Sequence, residues 1–243
     1  MRPFLFLGTR AEDVAADGEH AAVLRYSGLR PQQLHRVRLE REPMPRLDLE
    51  EHSGVIVGGG PFNFSDPPAE KSAVQRRVER EMTALLDDVV SRDLPFLGAC
   101  YGVGTLGAYL GAVVDRTYAE PVGPAEIELT AAGTDDPLLA GLPRRFTAYL
   151  GHKEAIRELP PSATVLATSA GAPVQMFRTG RNVYATQFHP ELDLAGIEQR
   201  VAVYRSAGYF PPEEAGRIVA LARAHRVTEP MRILRNFVTR FAR

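Results

Sequence analysis

An α/β fold on a largely parallel sheet is predicted for this 243-residue chain. Short apolar runs alternate with stretches of helical period through the first 110 residues, which is the rhythm of βαβ units. Two of those runs end in small-residue turns, Gly58-Gly59-Gly60-Pro61 and Gly98-Ala99-Cys100-Tyr101-Gly102. From about residue 125 the period changes to short strands with tight turns, which extend the sheet or form a small antiparallel layer beside it.

Taken in order, Phe4 to Gly8, Leu34 to Leu39 and Gly54 to Val57 read as the first three strands. Asp66 then fits a helix N-cap with Pro67 at the first helical position. That helix is expected to run to about Arg92, with Val74, Val78, Met82, Leu85, Leu86 and Val89 at helical spacing. Leu94 to Ala99 reads as a strand and Tyr101 to Leu110 as a helix despite three glycines. Strands are expected at Ala125–Thr130, Arg145–Leu150, Thr164–Thr168, Val174–Arg178 and Asn182–Gln187. Thr179-Gly180-Arg181-Asn182 has hairpin chemistry. Helices are expected near 195–207, 212–225 and 229–242; in the last, Ile233, Leu234, Phe237, Val238 and Phe241 form one apolar stripe suited to docking on the domain. With no repeat or linker, residues 1–243 read as one domain, a core to about 193 and a helical extension from 194 packed on it.

The bulk numbers narrow the partners. A net charge of −1 and a pI near 6.6 give no footing for nucleic acid or anionic membrane. One cysteine rules out an internal disulfide framework. The N-terminal run Phe4-Leu5-Phe6-Leu7 is too short for a signal peptide, and no run nears the ~18 apolar residues of a span. A cytoplasmic location is expected.

The lone cysteine carries the chemistry. A strand that ends at a small-residue turn and restarts as a helix lifts Cys100 over the sheet edge. The helix N-terminus there is expected to lower the thiol pKa and expose the sulfur. Gly98 and Gly102 permit the sharp turn, as in the serine elbow of hydrolases. The Tyr101 N–H is then free to hold an oxyanion. His189 and Glu191 end another apolar strand, two residues apart and so on one side of extended chain. Pro190 keeps that backbone extended, so Glu191 can orient the imidazole while His189 serves the sulfur as acid and base. Beside such a nucleophile, Gly58-Gly59-Gly60-Pro61 offers backbone amides for the same oxyanion, with Gly59 the expected donor. No Lys-Ser/Thr pair follows it, so it is no phosphate loop.

With these motifs in order, together with Gly151-His152-Lys153-Glu154, residues 1–193 resemble the class I (triad-type) glutamine amidotransferases. The similarity is greatest to the stand-alone proteins that are like the amidotransferase domain of GMP synthase. The resemblance implies a flavodoxin-like, doubly wound sheet with helices on both faces. It implies hydrolysis of a γ-carboxamide through a γ-glutamyl thioester, with no metal or other cofactor. Cys100 would be nucleophile, His189 base and Glu191 its orienter, with Gly59 and Tyr101 holding the oxyanion. Gly58 and Gly60 would line the substrate site, and the backbone of Gly151 and His152 would grip the amino-acid end of glutamine. The family pattern Cys-x-Gly-x-Gln ends here in Gly104, with Thr105 pointing elsewhere. That change is expected to enlarge the pocket and remove a polar contact worth about 1 kcal/mol, weakening glutamine or favouring a bulkier γ-glutamyl amide. The acceptor of ammonia would lie on a separate synthetase chain, or be water. A non-catalytic binding role is the remaining alternative.

Overall fold

The computed structural model describes all 243 residues. Eleven strands and seven helices are present. The strands are β1 (Phe4–Gly8), β2 (Leu34–Arg38), β3 (Val55–Val57), β4 (Phe96–Ala99), β5 (Val113–Asp115), β6 (Glu120–Leu129), β7 (Arg145–His152), β8 (Ala155–Glu158), β9 (Ala163–Ser169), β10 (Met176–Thr179) and β11 (Val183–Thr186). The helices are α1 (Asp13–Ser27), α2 (Ala73–Ser91), α3 (Tyr101–Tyr109), α4 (Ala131–Asp135), α5 (Leu194–Val203), α6 (Ala215–Arg223) and α7 (Met231–Phe241).

The main sheet runs β2-β1-β3-β4-β11-β10-β9-β6-β7. Its first five strands are parallel and the rest antiparallel. The parallel part therefore has the flavodoxin-type order, whose ligands sit outside the carboxyl ends of the strands. The short strands after residue 120 extend this sheet, and a separate two-stranded antiparallel layer pairs β5 with β8, neither of which the sequence pattern revealed.

Alternation along the buried strands builds two cores. Phe4 and Phe6 point to one face, where Val23 of α1 and Ile233, Leu234, Phe237 and Val238 of α7 cover them. Leu5 and Leu7 point to the other, under Val78, Met82, Leu86 and Val89 of α2 and Leu106 of α3. The apolar stripe of the last helix thus docks on β1, with the Phe237 ring 5.9 Å from that of Phe4.

The start of one helix and the presence of another differ from the sequence reading. α2 begins at Ala73, where the Ser72 side chain caps the Gln75 N–H at 3.0 Å. Pro68 is the reason: it holds Pro67 outside the helical region, so Asp66-Pro67 makes a turn. Val74 consequently sits exposed in the first turn. α1, rich in alanine and weak in apolar contrast, was not foreseen at all.

Candidate active site

Four strand ends converge on one crevice: β1 delivers Thr9 and Arg10, β3 the glycine loop, β4 Cys100, and β11 His189 and Glu191. Between β4 and α3, Cys100 has φ +50° and ψ −87°, a conformation costly for any side chain. The Cys100 N–H donates to the Thr186 carbonyl at 2.7 Å, which ties the elbow to β11. Close approach explains Gly98, since a Cβ there would lie 2.8 Å from the Gly102 Cα. Tyr101 opens α3, so its N–H has no helical partner. The Thr105 hydroxyl turns back to the Tyr101 carbonyl at 2.7 Å, away from the crevice as expected.

The elbow does not acidify the thiol. Cys100 is half-buried, and desolvation pushes its pKa up to about 12, against the pull of the Arg10 and Arg200 charges. The expectation of an exposed, acidified sulfur is corrected by that burial.

His189 and Glu191 are buried, and Nδ1 of the ring lies 2.9 Å from Glu191 Oε1. Arg200 Nη1 also lies 3.0 Å from Nδ1; in the tautomer whose Nδ1–H donates to the carboxylate, Nε2 keeps its lone pair and has no protein partner. Burial holds the imidazole below its usual pKa, with the Glu191 charge opposing. Burial alone would raise the Glu191 carboxyl, but the charges of His189 and Arg200 hold it well below the usual range. Arg200 of α5 reaches Glu191 Oε1 at 2.6 Å and Glu19 Oε1 at 3.1 Å. Arg10 reaches the same Glu19 oxygen at 3.0 Å and the Tyr204 hydroxyl at 3.3 Å. Glu19, His189 and Glu191 bring ligand atoms within 4.8 Å of one another, but the Arg200 guanidinium already bridges both carboxylates. A buried arginine and a partly buried one thus balance two buried glutamates. Sequence reading missed Arg10, Glu19 and Arg200, which lie far apart along the chain with no motif to join them.

The glycine loop corrects one assignment. The Gly59 N–H donates to Glu19 Oε1 at 3.2 Å, so it is not free for an oxyanion. A Cβ on Gly59 would lie 2.4 Å from His189 Cε1, so the residue packs under the ring instead. Gly58 donates to the Leu7 carbonyl at 2.9 Å. Gly60 lines the Cys100 cavity, and its N–H has no protein partner. The free amides beside the sulfur are therefore those of Gly60 and Tyr101.

On the opposite wall, Gly151 lines the crevice but both nitrogens of His152 are engaged. Nδ1 lies 2.9 Å from the Glu154 carbonyl and Nε2 2.9 Å from Glu120 Oε2. The imidazole thus acts as a strut, and His152 lines the cleft at Cys100 together with Gly151. Gly104 leaves no vacancy either, because a Cβ there would lie 2.3 Å from Glu154 Oε1. The Glu154 carboxylate fills that space and accepts from the Phe64 N–H at 2.9 Å and the Ser65 N–H at 2.7 Å. The expected enlargement of the pocket is corrected accordingly.

The model of the family described as glutamine amidotransferase class-I matches residues 19–202. The chain belongs to that family. Among amidotransferase relatives, it is 36% identical over 139 residues to the glutamine-hydrolyzing GMP synthase of Thermomicrobium roseum, covering 57% of this chain and 23% of that protein. With the glutamine-hydrolyzing GMP synthase of Aeropyrum pernix it shares 32% over 151 residues, 62% of this chain and 25% of that one. The chain thus spans about a quarter of the length of these relatives. A solved glutamine amidotransferase from Thermotoga maritima superposes with a TM-score of 0.79 at 20% identity, covering 99% of this chain and 98% of that one. Another from Methylobacillus flagellatus gives 0.70 at 16%, over 100% and 96% of the two chains. These likenesses establish the shared amidotransferase fold. No helix is long and apolar enough to cross a membrane.

Proposed function

We propose that residues 1–243 act as one amidotransferase domain that hydrolyses the γ-carboxamide of glutamine through a thioester on Cys100. One observation carries this reading. Cys100 stands on a strained elbow beside two unpaired amides, in a cavity shared with His189, whose Nδ1 is held by Glu191. In the first half, Sγ attacks the carboxamide carbon while its proton passes to His189 Nε2. Because burial pushes the resting thiol up to about 12, proton transfer accompanies attack rather than preceding it. The Gly60 and Tyr101 amides hold the oxyanion. The C–N bond then breaks as His189 returns the proton to nitrogen, releasing ammonia. In the second half, water attacks the thioester, gives a proton to His189, and glutamate leaves as the sulfur is reprotonated. Glu191 stabilises the imidazolium in both halves.

The released ammonia would serve a synthetase acceptor, as the names of the glutamine-hydrolyzing GMP synthase relatives suggest. A second reading, with water as final acceptor of any γ-glutamyl amide and no partner, is favoured by the cover that Tyr204, Tyr209 and Phe210 place on the cavity. Ammonia release from glutamine, followed for wild type and Cys100→Ala with intact mass in parallel, tests the proposal. Wild type should release ammonia and carry an acyl adduct, and the variant neither; wild type lacking both refutes it.

A further inference from the structure

Two cavities of opposite chemistry meet at Cys100. One is a polar cleft walled by Asn63, Lys153, Glu154 and Gln187. The other is lined by Leu150, Leu192, Ile197, Val201 and Phe210, with Arg10 and Arg200 at its floor. Gly60, Cys100, Gly151 and Tyr209 belong to both linings. A carbonyl carbon held on the sulfur with its oxygen toward Gly60 and Tyr101 has two remaining directions. Its carbon chain takes one cavity and its nitrogen the other.

The polar cleft fits the charged amino-acid end. Lys153 has no ion-pair partner, its Nζ standing 4.7 Å from the Tyr209 ring centroid. Glu154 supplies a carboxylate. Gln187 is buried with a side-chain carbonyl that no protein group satisfies. The nitrogen side then faces the apolar cavity. That cavity has a volume of about 60 Å³, room for roughly four to six waters at ~10–15 Å³ each. An unsubstituted NH₂ needs none of it. Its two arginines are already neutralised by Glu19 and Glu191, so the site offers no net charge to an ionic group. Tyr204, Tyr209 and Phe210 lie beyond residue 202, where the family match ends.

Resting on the thioester reading above, we infer that the apolar cavity receives a small hydrophobic substituent on the scissile nitrogen. The substrates of this chain are then N-alkyl or N-arylalkyl γ-glutamyl amides. The chemistry balances as before: the C–N bond breaks, His189 protonates nitrogen, a primary amine leaves, and water releases glutamate from the thioester.

The test compares kcat/KM for glutamine, γ-glutamyl-isopropylamide, γ-glutamyl-benzylamide and γ-glutamyl-β-alanine, with intact mass of the acyl-enzyme. At least one apolar amide should exceed glutamine tenfold or more, and γ-glutamyl-β-alanine should fall below both apolar amides. Val201→Phe, which fills the cavity, should lower the ratio of apolar-amide to glutamine kcat/KM tenfold. Phe210→Ala, which opens it, should move the preference toward benzylamide. An adduct from glutamine with no gain from either apolar amide, or preference for the carboxylate-bearing amide, overturns this inference and leaves the thioester standing. No adduct from any substrate overturns both.

Discussion

Alkylation of Cys100 offers a direct check on the site, because the chain has no second thiol to confuse it. Desolvation raises the pKa from 9.0 for a free thiol to about 12. At pH 8 the thiolate fraction then falls from about one in ten to about one in ten thousand, a factor of roughly 10³. Iodoacetamide should therefore label the substrate-free protein about a thousandfold more slowly than free cysteine. Slow access alone would also retard labelling, so the pH dependence decides. The rate should climb about tenfold per pH unit from 8 to 10 without levelling. Intact mass at timed intervals measures it, with Cys100→Ala as blank. A plateau below pH 7 would refute the reasoning, since it would mean that a thiolate–imidazolium pair with His189 already exists in the resting site.

With His189 as the proposed base, the activity profile should follow its titration instead. His189 is depressed below its ordinary 6.5 by burial, so the neutral ring persists to lower pH and the acid limb of kcat/KM should fall below pH 6.5; a limb at or above 7 contradicts this assignment. Gly59→Ala places a methyl against the His189 ring, and a displacement near 1 Å should cost about 10²-fold in kcat, read in the ammonia assay. Gly104→Gln should destabilise rather than improve the protein, because it expels the Glu154 carboxylate from the Phe64 and Ser65 amides. Losing those contacts should cost about 2 kcal/mol, a drop of roughly 4–8 °C in melting temperature by scanning fluorimetry. Arg200→Leu leaves Glu19 and Glu191 buried with only Arg10 nearby; urea unfolding should show a loss of about 3–5 kcal/mol, and a change under 1 kcal/mol would show the network to be slack.

Local chemistry made much of this protein readable. Strand β1 and the β10–β11 hairpin follow from apolar runs and from Gly180, whose φ of +57° the turn requires. The elbow at Cys100 follows from Gly98 and Gly102, and the pairing of His189 with Glu191 from a two-residue spacing on extended chain. Each depends on residues adjacent in sequence, so the pattern carries the signal. Which amides stay free does not. Gly59 and Gly60 are indistinguishable as letters, and only Glu19, arriving on α1, takes the N–H of one and spares the other. Gly104 reads as a vacancy until Glu154 is seen to fill it. The pKa of Cys100 likewise belongs to the fold, because desolvation depends on what packs around the sulfur and not on the helix that follows it. Sequence by itself determined the elbow at Cys100, the pairing of His189 with Glu191 and the sheet that carries them. Only the tertiary structure decided which amides beside Cys100 stay free, the arginine–glutamate lattice and the two-sided cavity, because each is a meeting of groups from distant segments whose contact energies exist only once the chain has closed around them.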